Sequence, residues 1–300
     1  MKILLTGAAG MLASAVIDEL ERSDNILDSE IIIIKSDINL RTPDIQYIDV
    51  CNFDEIDHWV RTEKPDYIFH LAAETDVDLC ERKPDYAYKT NYIGTENMAT
   101  VCLKYDIPFL YISSGSVFYG DKAEPYNEFD QPRPINIYGQ SKLYGEIIVK
   151  QLLKRYFIIR AGWMIGGWEI DKKFVYKIVR QLLDGKKEIN VVDDRYGTPT
   201  FTTDFAKNML SLIKTGRYGL YHMANKGWAT RYDIANKIVG FMELERKVKV
   251  NPVSSAEFPL SAPRPRSEMI DNLHLNLIGL NNMPPWQESL NKYIRMNAIE

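Results

Sequence analysis

A chain of 300 residues, 45% hydrophobic and 26% charged, has the material for one large α/β domain or two smaller ones. Its net charge of -4, with no dense Lys/Arg cluster, argues against nucleic acid as a partner. The longest aliphatic run, IIIIK, is far short of the ~20 residues that span a bilayer, and the run after Met1 is too short for a signal peptide, so a soluble, cytoplasmic protein with no membrane partner is expected.

In chain order, residues 2–6 (KILLT) read as a buried strand, 11–21 as a helix, 30–34 (EIIII) as a strand and 54–63 as a helix. A strand at 67–72 (YIFHLA), a long helix at 84–105, a strand at 108–114 (PFLYISS), a helix at 138–154 and a strand at 156–162 follow. Strands with almost no polar alternation, separated by helices, predict a parallel sheet covered on both faces. With right-handed crossovers this is a Rossmann-type, doubly wound α/β fold. Beyond it, helices are expected at 172–186, 202–216 and 230–244, the last two opening on a Thr cap. Residues 252–265 are proline-rich and irregular, and 283–296 read as a short final helix. The pattern changes near residue 163. An NAD(P)-binding domain over 1–162, including about 200–222, and a smaller substrate-binding lobe over 163–300, interleaved with it, are therefore expected. Cys51, Cys80 and Cys102 fit no zinc spacing and no closed disulfide set, as thiols in a reducing compartment would.

The stretch LLTGAAGMLA places Gly7, Gly10 and Ala13 directly after the first strand and at the opening of the first helix. Glycines let the backbone approach a pyrophosphate, and the helix N-terminus offers free amides and positive potential. The same glycines also suit a plain strand-to-helix turn. The second strand ends in IIIIKSD: Lys35 and Ser36 suit the 2′-phosphate of NADPH, whereas Asp37 suits the ribose of NADH. The balance favours NADPH, with NADH as the alternative. Asp49 and Val50 end a third strand where an adenine ring would lie, and Asp49 also reads as a helix cap.

Three further stretches should meet outside the carboxyl ends of the strands: HLAAET (70–75), YISSGSVFYG (111–120) and YGQSK (138–142). A carbonyl that accepts a hydride needs a proton on its oxygen. Tyr138 supplies a phenol, with an ordinary pKa of ~10. Lys142 lies one helical turn away on the same face, where its charge stabilises a phenolate and its ammonium reaches a cofactor ribose. Ser114 supplies a hydroxyl for the substrate oxygen. His70, on a buried strand, reads as a core histidine, and Tyr86, Tyr88 and Tyr92 as packing or interface residues.

With TGAAGMLA, HLAAET, SSGSVFYG and YGQSK in hand, the sequence resembles the extended short-chain dehydrogenase/reductases. With AAETDVDLCE, RAGWMIGG, DDRYGTPTFT, APRPRSEM and MPPWQESL added, it resembles the dTDP-4-dehydrorhamnose reductase family. That resemblance runs through the whole chain. It implies reduction of the 4-keto group of a nucleotide-activated deoxysugar, with a nucleotide sugar as substrate. It places Gly10, Met11 and Leu12 over the pyrophosphate, Asp49 and Val50 at the adenine, and Ala72, Ala73 and Thr75 beside the cofactor. Ser114, Tyr138 and Lys142 become the catalytic set, Trp163 and Val77 lie near the sugar, and Arg264 near the substrate diphosphate. It also implies that Asn91 helps hold the site, and that the chain pairs as a homodimer. One departure stands out: the Asp-Tyr pair usual after the catalytic hydroxyl is replaced by Gly115 and Ser116, in the wall facing the sugar. No metal is expected. A nucleotide-sugar epimerase or dehydratase, and a non-catalytic NADP-binding regulatory subunit, are the competing readings.

Overall fold

The computed structural model describes residues 1–22, 30–170 and 173–299. Strand β1 (Lys2–Thr6) leads through a glycine turn into α1 (Met11–Arg22), followed by β2 (Ile32–Asp37), β3 (Gln46–Tyr47), α2 (Phe53–Glu63) and β4 (Tyr67–His70). Next come α3 (Val77–Arg82), α4 (Pro84–Tyr88), a π-helical turn over Lys89–Ile93, α5 (Gly94–Tyr105), β5 (Phe109–Ser114), α6 (Ile137–Leu152) and β6 (Tyr156–Ala161). The remainder runs β7 (Trp163–Ile165), α7 (Phe174–Leu183), β8 (Glu188–Val192), β9 (Tyr196–Gly197), β10 (Pro199–Phe201), α8 (Thr202–Ile213) and β11 (Gly219–Met223). It closes with β12 (Ala229–Thr230), α9 (Arg231–Phe241), β13 (Lys249–Val253), β14 (Ser267–Glu268), α10 (Leu273–Leu277) and α11 (Trp286–Ile294).

Seven strands form one sheet in the order β11-β6-β5-β4-β1-β2-β3, with every pairing parallel. The order reverses at β1, so the crevice outside the carboxyl ends of β1 and β4 is the topological switch point where ligands bind in such sheets. One apolar layer packs α1 and α8 on the sheet through Val16, Leu20, Phe205 and Met209. The opposite layer packs α2, α5 and α6 through Ile56, Val60, Met98, Val101 and Val149. Burial on both faces is why β1 carries Ile3, Leu4 and Leu5 in succession. Three small sheets, β10-β7, β12-β9-β14 and β13-β8, make the second lobe. Its own core holds Ile165, Val179, Ile189, Ile234, Trp286 and Leu290.

Several expectations needed correction. The helix expected at 84–105 is interrupted by the π-helical turn around Asn91. The Thr cap holds for α9, where Thr230 and Asp233 form a reciprocal capping box. It fails for α8, whose cap is Phe201, because Thr202 already lies inside the helix. Lys172, at the start of the helix expected over 172–186, lies outside the described residues; the observed helix is Phe174–Leu183. Helix α3 and the two-residue strands of the second lobe had no periodic signal to announce them. No helix among the described residues is long and apolar enough to cross a membrane.

Helix α6 is fastened to the sheet by a buried ion pair. Glu146 is 0% and Arg160 1% exposed. Arg160 Nε and Nη2 donate to the two Glu146 oxygens, each at 2.7 Å, and Ser113 Oγ donates to Oε1 at 2.6 Å. Burial pushes the Glu146 carboxyl up, but the guanidinium more than offsets this and holds it below the usual range. Glu146→Gln would strand the Arg160 charge in the core. We expect it to cost about 3–5 kcal/mol in urea unfolding; a loss under about 1 kcal/mol would mean that the pair does not carry buried charge.

Candidate active site

The site begins at the glycine turn. Gly7 has φ +74°, and a Cβ there would sit 2.6 Å from Ala72 N and 2.8 Å from Ala72 Cα. Only glycine lets the turn after β1 lie this close to the end of β4. Gly10 N donates to Gly7 O at 3.0 Å, and the first intrahelical amide is Ser14 N, on Gly10 O at 3.1 Å. The amides of Met11 and Leu12 therefore lie in the unsatisfied first turn of α1, where a pyrophosphate is best accommodated. Asp37 braces the loop: Oδ2 accepts from Ala9 N at 3.0 Å and Oδ1 from Asn39 N at 2.8 Å.

The flanking candidates fall into two groups. Ala72 and Ala73 are half-buried at the end of β4 and Thr75 is exposed. Asp49 turns its carboxylate to Cys51 N at 2.9 Å, and Val50 is buried against Gly94. Ser36, by contrast, is 0% exposed, and its hydroxyl donates to Leu5 O at 3.1 Å. It points between strands, so its hydroxyl is not available to a ligand, contrary to the expectation of a 2′-phosphate contact. Lys35 is held by Asp44 at 2.9 Å and Glu21 at 3.3 Å, and the Asp44 bond keeps its ammonium pKa raised.

Tyr138 and Lys142 ride on α6, and the helix start is over-determined. Asn136 caps it, accepting from Gly139 N at 2.8 Å, while its Nδ2 donates to Pro263 O at 3.0 Å. Ile137 N donates to Glu81 Oε2 at 3.0 Å. Asn91, 0% exposed, joins this helix to the β4 end: Nδ2 donates to Ser141 Oγ at 3.0 Å and to Glu74 O at 3.1 Å, and Oδ1 accepts from Glu74 N at 2.8 Å. Its place in the π-helical turn is what brings it there, as such turns often do at functional sites. His70 is buried with both ring nitrogens bonded, to Thr6 and Thr95. Burial and the nearby Lys142 charge push it down to about 3, so it is a neutral core side chain.

The electrostatics separate the two key groups. Burial pushes the Tyr138 phenol up to about 12, while a side-chain hydrogen bond with Ser114 pulls it down. Cys80, Glu268 and Glu74 add to the rise. Burial pushes the Lys142 ammonium down to about 7, against the opposing pull of Glu146. Lys142 is 3% exposed, with Nζ 4.2 Å from the centroid of the Tyr111 ring. The phenol is a firm proton holder, and the lysine exchanges its proton near neutrality.

On the far side stands a constellation that sequence reading missed. Ser116 N donates to Ser114 Oγ at 3.1 Å, and Ser116 Oγ donates to Glu268 Oε1 at 2.5 Å. Trp163 Nε1 donates to Glu268 Oε2 at 2.8 Å. The Arg231 guanidinium lies 4.0 Å from the Trp163 ring centroid and 4.9 Å from that of Phe174. Burial lowers it to about 10, with Glu268 opposing. Trp163 thus joins Ser116 through the Glu268 carboxylate. Gly115 is buried, and a Cβ there would lie 3.3 Å from Ile270 Cγ2. Val77 opens α3, half-buried. Arg264 is paired within the protein: Nη2 pairs with Asp78 at 2.8 Å and Nη1 donates to Ala262 O at 3.0 Å. Its charge ties the Pro-rich segment to α3. Glu268 lay inside the quoted APRPRSEM, and nothing in that segment distinguished it.

The RmlD substrate binding domain family matches residues 1–298. The chain is 32% identical over 255 residues to a dTDP-4-dehydrorhamnose reductase of Sinorhizobium fredii, covering 80% of this chain and 83% of the relative. A solved dTDP-4-dehydrorhamnose reductase from Clostridium acetobutylicum superposes with a TM-score of 0.89 at 34% identity, over 99% of each chain. Another, from Bacillus anthracis in complex with NADP, gives a TM-score of 0.87 at 35% identity, covering 98% of this chain and 99% of that one.

The low lysine value has a consequence for stability. An unfolded lysine keeps its proton to about 10.4, whereas folded Lys142 releases it near about 7. Between these values the unfolded chain binds more protons, so stability rises with pH, while the full cost of the buried charge is present below 7. In urea unfolding of the cofactor-free protein at pH 7 and 9, the wild type should gain about 2–3 kcal/mol relative to Lys142→Met. Equal pH slopes would show that Lys142 stays protonated in the fold.

Proposed function

This chain belongs to the dTDP-4-dehydrorhamnose reductase family, and we propose that it uses NADPH to reduce the 4-keto group of a dTDP-activated 6-deoxysugar, with Tyr138 as the proton donor. The observation that carries this reading is a half-buried phenol whose proton is held firmly, on the helix beside the Ser114 end of the sheet and one helical turn from the buried Lys142. In this reading the seven-stranded sheet with its helices is the cofactor domain, and the small-sheet lobe from β7 onward receives the sugar.

The residues fit the cofactor. The close Gly7–Ala72 approach and the first amides of α1 would take the pyrophosphate, and Asp49 and Val50 would flank the adenine. Asp37 already accepts from Ala9 N of the glycine turn and from Asn39 N, so it has a structural task besides any ribose contact. Lys35 stands at the end of β2 as the cation for a 2′-phosphate, in exchange with Glu21 and Asp44.

When bound, NADPH supplies the hydride to the sugar carbonyl carbon. The Ser114 hydroxyl donates to the carbonyl oxygen as negative charge develops there, and Tyr138 transfers its proton to that oxygen. Lys142 would hold the nicotinamide ribose and stabilise the phenolate left behind. Its value of about 7 suits a group that exchanges a proton at each turnover.

Purified protein mixed with NADPH and dTDP-4-dehydrorhamnose should consume cofactor in proportion to sugar, followed at the nicotinamide absorbance band. Sugar conversion without net cofactor loss would instead identify an epimerase, and cofactor binding without turnover across a panel of keto-sugars a regulatory subunit. Tyr138→Phe should lower kcat by about 10²–10⁴ while NADPH binding stays within about twofold, read by fluorescence titration. Retention of most activity would remove Tyr138 as the donor.

A further inference from the structure

We propose that Glu268 is a positioning residue for the sugar: its carboxylate ties the Trp163 indole to the turn carrying Ser114, and so sets where the sugar ring lies relative to Tyr138. This inference rests on the reductase reading above.

Glu268 is placed by strand pairing rather than by chance. Strand β14 runs parallel to β9, with Glu268 opposite Gly197. From there its half-buried side chain reaches both walls of the cleft. One oxygen takes the Ser116 hydroxyl at 2.5 Å and the other the Trp163 indole N–H at 2.8 Å. Ser116 is bonded through its amide to Ser114 Oγ. A single carboxylate therefore links the indole of the second lobe to the Ser114 turn of the first.

Trp163 itself is boxed in. A Cβ on residue 197 would fall 2.2 Å from its ring, and the Arg231 guanidinium lies 4.0 Å from its centroid. With the edge gripped by Glu268, the indole has no freedom to turn, and it presents a rigid flat surface. A carboxylate oxygen accepts more than one hydrogen bond, so each Glu268 oxygen keeps capacity for a sugar hydroxyl. Charge-assisted bonds of this kind hold geometry more tightly than neutral ones. Gly115 and Ser116 stand in the same wall; the small glycine lies against Ile270 and the serine hydroxyl supplies the donor that Glu268 takes.

The test is steady-state kinetics on the full chain with NADPH and dTDP-4-dehydrorhamnose. Glu268→Gln offers one acceptor where the carboxylate offered two. It should raise the sugar KM about tenfold, lower kcat less than about threefold, and leave the NADPH Kd within about twofold. Trp163→Phe keeps one aromatic ring, removes the donor together with part of the indole surface, and should raise KM at least as much even if Glu268→Gln folds poorly. The double variant should be no worse than about twofold beyond either single one, since both break the same link. Wild-type KM in both variants, fully multiplicative effects, or loss of NADPH binding in step with KM would overturn the role of Glu268. Absence of wild-type turnover would overturn the reductase reading, and this inference with it.

Discussion

The active site depends on one buried ion pair. Glu146 lies on α6 one turn beyond Lys142, and its carboxylate is clamped by Arg160 of β6 and Ser113 of β5. This locks α6 over the carboxyl half of the sheet. Without it, α6 would be tied by directional bonds chiefly at its start, and its body would rest mainly on apolar contacts, which tolerate small slides. Directional bonds to a buried charge do not, because a displaced partner leaves that charge uncompensated. Asn91 repeats the logic at the helix start, joining α6 to the β4 end through Ser141 and Glu74.

Burial is also what differentiates the two reactive groups. The same low-dielectric surroundings disfavour the charged form of each, so the phenol rises and the ammonium falls. From the sequence, Lys142 was expected to stabilise a phenolate by its charge and to reach a cofactor ribose. The structure places it over the Tyr111 ring, almost wholly buried, where its charge is conditional. The outcome suits reduction, in which the phenol starts protonated.

The second lobe contributes through short strands. Each of β9, β12 and β14 is two residues long, yet their pairing brings Gly197, Thr230 and Glu268 together. Arg231, which follows Thr230 at the start of α9, is carried into the same wall and stacks on Trp163. The wall beside Ser114 is thus assembled from residues 115–116, 163, 231 and 268, far apart in the chain.

The sequence by itself determined the alternation of apolar strands and helices, the glycine turn before α1, and the helical spacing of Tyr138 and Lys142. These signals are local: a buried strand, a phosphate turn and a helix face each leave a pattern within a few residues. Only the tertiary structure decided which polar groups are free. Ser36 proved to be turned into the sheet toward Leu5, and Arg264 to be committed to Asp78. Glu268 emerged as the centre of a network with Ser116 and Trp163. The partner of a charged side chain is set by non-local pairing of short strands and loops. Such pairing follows from packing the whole chain and leaves no periodic trace in the residues themselves.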